Sequence, residues 1–142
     1  MLIELRPEFV AKHWEEIKVE IGKALPPTGI NSGISMNKLL ERVMVGAVVC
    51  WAAVGEDKVV QGFLMTQHIE DYCTGTRSLL LYALSGAFTQ DVWDVAADQL
   101  YKYAKGTGCK FISAYTKERS VVIEAKGYGF DTDYRFIYKE VK

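Results

Sequence analysis

Cysteine, proline and histidine are all scarce in this chain, with three, three and two residues in 142. The cysteines, Cys50, Cys73 and Cys109, are odd in number and far apart, and they form no CxxC pair or Cys/His cluster. That spacing argues against a disulfide framework or a zinc ribbon, and buried free thiols in a reducing compartment are expected. Charge of one sign is also missing. The chain has 17 Lys+Arg against 18 Asp+Glu, a net charge of −1, which argues against a strongly basic nucleic-acid binder and against an acidic disordered tail. The longest apolar run, Val43 to Val54, is about a dozen residues, short of the roughly 20 that span a bilayer. The opening MLIELRPEF carries Glu4 and Arg6 and no apolar h-region, so no signal peptide is expected and the cytoplasm is the expected location. There is no Walker loop, no GxGxxG, no metal-ligand spacing and no Ser-His-Asp arrangement, so no metal is called for.

What the sequence does contain is the material of a packed core: 49% hydrophobic and 12% aromatic residues. The length suits a single domain over residues 1–142. Leu2 to Leu5 reads as a short strand stopped by Arg6-Pro7. Phe9, Val10, Trp14, Ile17, Ile21 and Leu25 recur at spacings of three and four, which predicts one amphipathic helix. Pro26-Pro27-Thr28-Gly29 ends it, Asn31-Ser32-Gly33 continues a loop, and Met36 to Met44 reads as a short second helix. Ala47 to Val54 and Val59 to Ile69 flank the turn Gly55-Glu56-Asp57-Lys58 as a hairpin. Ser78 to Leu84 (SLLLYAL) reads as a central strand buried on both faces. Thr89 suits an N-cap, and Val92, Trp93, Ala96, Leu100, Tyr103 and Ala104 line one face of a helix that ends at Lys105-Gly106. Lys110 to Tyr115 reads as a strand, Glu118 to Lys126 as a short helix, and Tyr134 to Val141 (YRFIYKEV) as a last, alternating strand. The order β-α-α-β-β-β-α-β-α-β, with a βαβ unit near its end, predicts an α+β fold: a mixed sheet with helices on both faces.

Three segments carry a resemblance to a known family. They are Ile3-Glu4-Leu5-Arg6-Pro7, the helix and strand from Val92 to Tyr115 around Gly108-Cys109, and Arg119 to Phe130 with its closing Gly129-Phe130. In order and spacing they resemble the GNAT superfamily of N-acetyltransferases over nearly the whole chain. The small size and loose motifs also resemble the acetyltransferase-like accessory proteins of tailed phages. The resemblance implies acetyl-CoA held where the strand before the long helix parts from its neighbour, with the pyrophosphate on the helix N-terminus. Cofactor contacts would then fall on Leu84, Ser85, Gly86, Asp91 and Trp93. The family's phosphate loop, Gln/Arg-x-x-Gly-x-Gly/Ala, aligns on Phe88, Asp91 and Trp93. Phe88 offers no donor, Asp91 brings a negative charge towards phosphate, and Trp93 is bulky where a small residue is usual. The small residues Ser85-Gly86-Ala87 stand a few positions earlier. The Tyr that often protonates the leaving thiolate aligns on Ala125, with Tyr128 three residues further on.

Chemistry on an amine needs a general base. Glu70 and Asp71 at the end of a strand are the first candidates and Glu118 the next. An acidic pair ending a strand also suits plain solvation, and His68 suits an ordinary hydrogen-bonded residue. Two functions follow. One is a GNAT-fold protein with a degraded acetyl-CoA site, serving as a non-catalytic binding or assembly factor, for instance a phage accessory or virion component. The other is a small acetyl-CoA-dependent N-acetyltransferase working by direct transfer. The first needs no cofactor and expects a protein partner; neither nucleic acid nor membrane is indicated, and pairing of copies stays open.

Overall fold

The structure, a computed structural model, describes residues 1–26 and 33–142. Strands β1 (Leu2–Glu4), β2 (Val49–Val54), β3 (Val60–Asp71), β4 (Thr76–Gly86) and β5 (Phe111–Ala114) form one sheet in the order β1-β2-β3-β4-β5. The first four pair antiparallel, and β5 pairs parallel with β4. Helix α4 (Gln90–Gly106) makes the β4-to-β5 crossover, as a parallel pair requires. Helices α1 (Pro7–Lys12), α2 (Trp14–Gly22) and α3 (Gly33–Met44) precede β2, and α5 (Arg119–Gly127) follows β5. The fold is therefore the expected α+β mixed sheet with helices on both faces. Among the described residues, no helix is long and apolar enough to cross a membrane.

Strand alternation sorts the core into two layers. Trp51, Leu64, Leu79 and Leu81 pack under α4 against Val92, Ala96, Leu100 and Ala104. Cys50, Met65 and Ala83 point the other way, against Val10, Trp14, Ile17 and Ile21 of α1 and α2 and Met36 and Val43 of α3. The central strand has apolar residues on both sides because both sides are covered. One polar pair inside is satisfied: Trp51 Nε1 donates to Thr66 Oγ1 at 2.9 Å. Edge strand β1 is closed by Gln99 of α4, which accepts from Leu2 N at 2.6 Å and donates to Leu2 O at 3.1 Å.

Several elements differ from expectation. The helix expected from Phe9 to Leu25 is two, divided at His13, whose φ of −106° and ψ of 19° leave the helical range. Its apolar stripe continues across the break. Helix α3 starts at Gly33, three residues before the predicted Met36. The loop expected over Pro26–Gly33 lies, at 27–32, outside the described residues. The last strand does not form: residues 134–141 are described and pair with nothing, with Tyr134 and Ile137 each 87% exposed. Alternation alone is insufficient without a surface to lie on. The neighbouring β5 is four residues long, and α5 buries no residue. Phe136 still rests near Tyr115, with ring centroids 5.2 Å apart. The three thiols are free, as expected; Cys50 is buried, which pushes its pKa up to about 12, while Cys73 is exposed.

His68 is a bracing residue. Its Nε2 lies 2.9 Å from Thr107 Oγ1, whose own proton goes to Tyr103 O at 2.8 Å, and Arg77 Nη1 donates to Thr107 O at 2.8 Å. Together they tie β3 and β4 to the end of α4. Burial, then the charge of Arg77, holds the His68 pKa below its ordinary 6.5. The unfolded chain then takes up this proton first, so the contribution is complete above 6.5 and is lost as pH falls through that value. From about pH 7.5 to about pH 5.5, wild type should lose more stability in urea than His68→Gln; equal losses would refute the assignment. At the other end of the hairpin, a Cβ on Gly62 would stand 2.0 Å from Ser85 O and 2.8 Å from Phe88 Cε1. Gly62→Ala should therefore cost about 3 kcal/mol in the urea midpoint. Gly106→Ala, which meets nothing within 4 Å, should instead gain up to about 1 kcal/mol.

Candidate functional site

Strands β4 and β5 pair from Ser78↔Phe111 to Leu81↔Ala114 and then part, while β4 continues to Gly86. Ligands in open parallel arrangements sit beyond the carboxyl ends of the strands where neighbours diverge. At that point the register between β3 and β4 also slips. Met65 faces Ala83 and Thr66 faces Leu81, so Tyr82 is an extra, unpaired residue. A bulge of this kind re-aims a side chain, and such bulges are common beside functional sites. It sends the half-buried Tyr82 ring towards the α1–α3 face, where it packs with Ala83 rather than opposite it. Burial, then the neighbouring Tyr115, raises the Tyr82 pKa. Tyr82 was not singled out from the sequence; the signal was a lone hydroxyl inside the apolar run LLLYAL.

Beyond the bulge, Leu84 packs into the core under α4. Ser85 is buried, with Oγ 3.4 Å from Glu20 Oε2 of α2. Gly86 has φ +116°, and a Cβ there would meet Gln61 O at 2.2 Å. The smallness of Gly86 thus serves the packing of β4 on β3. Gln61 also holds the connection to the helix: its Oε1 accepts from Thr89 N at 2.8 Å, and its Nε2 donates to Thr89 Oγ1 at 3.1 Å. Thr89 is the N-cap residue of α4, as expected, but its side chain makes no capping bond.

The helix start is furnished with the chain's own groups. The Thr89 hydroxyl, then the backbone N–H groups of Asp91 and Val92, hold the Asp91 carboxyl below its usual range. An anion of the protein therefore sits where a helix N-terminus would receive phosphate. Phe88 and Trp93 lie against each other, with ring centroids 4.8 Å apart, and both are half-buried. Further acids gather alongside. Gln90 Nε2 is within 3.2 Å of Asp94 Oδ1 and 3.4 Å of Glu124 Oε2, and the Tyr128 hydroxyl donates to Asp94 Oδ1. Partial burial, then Asp94 and Glu124, push the Tyr128 pKa up to about 12. Tyr128 thus joins α5 to α4. The pyrophosphate of acetyl-CoA fits these residues poorly: Asp91 stands in the first turn of α4, Asp94 and Glu124 lie close by, and the Phe88 and Trp93 rings adjoin the helix start.

The three candidate bases do not gather at this place. Glu70 pairs with Arg77 and Asp71 with Thr76 at the β3–β4 turn, about nine residues and hence roughly 30 Å down β4 from Ser85. Both are exposed, and Asp71 shapes the turn by accepting from Cys73 N at 2.9 Å and Gly75 N at 2.7 Å. That separation corrects the expectation that either serves the same site as Ser85 and Asp91. Glu118 is the exposed N-cap residue of α5, and its backbone N donates to Thr116 Oγ1 at 3.1 Å. Among the described residues no group of three His, Cys, Asp or Glu could hold a metal ion.

No family profile and no curated protein sequence matches the chain. Solved structures do. The aminoglycoside acetyltransferase AAC(6')-Iy, in complex with the bisubstrate analogue CoA-S-monomethyl-acetylneamine, is 14% identical with a TM-score of 0.71, over 100% of this chain and 97% of that one. A predicted acetyltransferase with acetyl-CoA from Clostridium acetobutylicum is 15% identical with a TM-score of 0.69, over 98% and 95%. A ribosomal-protein-alanine N-acetyltransferase from Brucella melitensis is 12% identical with a TM-score of 0.65, over 99% of each chain. Identities this low speak for architecture, and the architecture agrees end to end: the chain has the GNAT fold.

Proposed function

We propose that this chain is a GNAT-fold protein that does not use acetyl-CoA and works instead as a binding or assembly factor with a protein partner, in a setting such as phage particle assembly. One observation carries the reading: Asp91 places a carboxylate in the first turn of α4, at the helix end that would receive a cofactor pyrophosphate. Phe88 and Trp93 beside it, and the acids Asp94 and Glu124, act in the same direction.

The second reading, an acetyl-CoA-dependent N-acetyltransferase acting on an amine, is favoured by a different observation. The β4–β5 parting and the Tyr82 bulge are present, and solved structures of the same fold hold a CoA bisubstrate analogue or acetyl-CoA.

Thermal unfolding with and without millimolar acetyl-CoA separates the two. A ligand at 100 times its Kd stabilises by about 2.7 kcal/mol, which raises Tm by several degrees in a domain of this size. The proposal expects no shift for the wild-type chain. A shift of that size would overturn it, and Asp91→Gly should then bind acetyl-CoA more tightly than wild type.

A further inference from the structure

The face of the sheet that carries α1, α2 and α3 holds a cleft of about 350 Å³ between α3, Val48 just before β2, and the strands β3 and β4. This is large enough for a small metabolite or a short side chain. Leu39, Val48 and the Tyr82 ring give it apolar walls, and Gln67 adds a neutral amide. Lys38 and Arg42, one helical turn apart on α3, add two positive charges. No carboxylate lines it.

Neither cation is paired. The ion pairs among the described residues are Lys18–Glu15, Lys23–Glu20 and Lys102–Asp98, and they leave Lys38 and Arg42 without an acidic partner there. Segment 27–32 contains no Asp or Glu that could supply one. Glu41 lies between them in sequence but is exposed and does not line the cleft. Two like charges at this spacing repel, and the arrangement becomes favourable once an anion stands between them. A guanidinium and an ammonium together offer a planar fork and a point charge, a set suited to carboxylate or phosphate oxygens.

We propose that this cleft binds a small ligand through an anionic group, carboxylate or phosphate, held by Lys38 and Arg42, with the adjoining body of the ligand on Leu39, Val48 and Tyr82. The cleft lies on the sheet face opposite α4, and no residue of α4 lines it. Because Tyr82 is the first residue past the last β4–β5 pair, the ligand lies at the point where the two strands part. The same two charges repel a polyamine.

The test is a titration of the isotope-labelled full chain, followed by NMR, with inorganic phosphate and separately with succinate, at constant ionic strength. Sodium chloride and spermine are the controls. Expected are saturable shifts confined to α3, Val48, Gln67 and Tyr82 with at least one of the two anions, and the tighter binder identifies which anionic group the cleft takes. Lys38→Gln and Arg42→Gln, both at exposed positions, should each weaken binding about tenfold without altering the remaining spectrum. The proposal is overturned if neither anion gives saturable shifts, if sodium chloride reproduces them, if the double variant retains them, or if spermine binds at the same residues.

Discussion

The placement of α4 depends on a backbone-to-backbone approach between two strands. Gly62 of β3 and Gly86 of β4 come so close that a Cβ on either would stand 2.0–2.2 Å from a carbonyl oxygen of the other strand. The neighbouring Gln61 accepts from the N–H of Thr89 and donates to its hydroxyl oxygen, and Phe88 lies over Gly62. The start of β3 therefore grips the β4–α4 connection at three successive places. Where the first turn of α4 points, and which side chains ring it, is settled there.

This grip separates two features that a functioning acyl-CoA site would combine. The parting of β4 from β5 depends on sheet geometry alone and is present in full. The helix start depends on side-chain chemistry, and there Asp91 stands in the first turn with the Phe88 and Trp93 rings in contact beside it. A fold can keep its strand geometry while its ligand chemistry changes, because the core residues that fix the first, such as Leu79, Leu81 and Val92, are not those that fix the second.

The sequence made most of the architecture readable. The three-four spacing of Val10, Trp14, Ile17 and Ile21, the run SLLLYAL and the stripe on α4 are direct prints of burial, so the layers followed from them. The break at His13 was not readable, since no proline or glycine marks it. The failed last strand was misread because alternation reports a strand's capacity to bury one face, not the presence of a face to cover it. At the site, the acid and the two rings that stand at the start of α4 were legible from residue types. The distance of Glu70 and Asp71 from that place was not, because it depends on how far β4 extends. The cleft at Lys38 and Arg42 joins α3 to Val48 and to residues of β3 and β4, a long-range meeting that no local pattern announces.

The Gln99 clamp on Leu2 gives the sheet a polarity of its own. At β1 the outward-facing N–H and C=O of Leu2 are consumed by a side chain of the same molecule. At β5, a four-residue strand with Phe111 63% exposed, the far side meets no further strand among the described residues. Edge strands are where foreign chains add on. The margin at β1 is thus capped from within at Leu2, whereas β5 carries no such clamp among the described residues, so the two margins differ in what they offer another polypeptide.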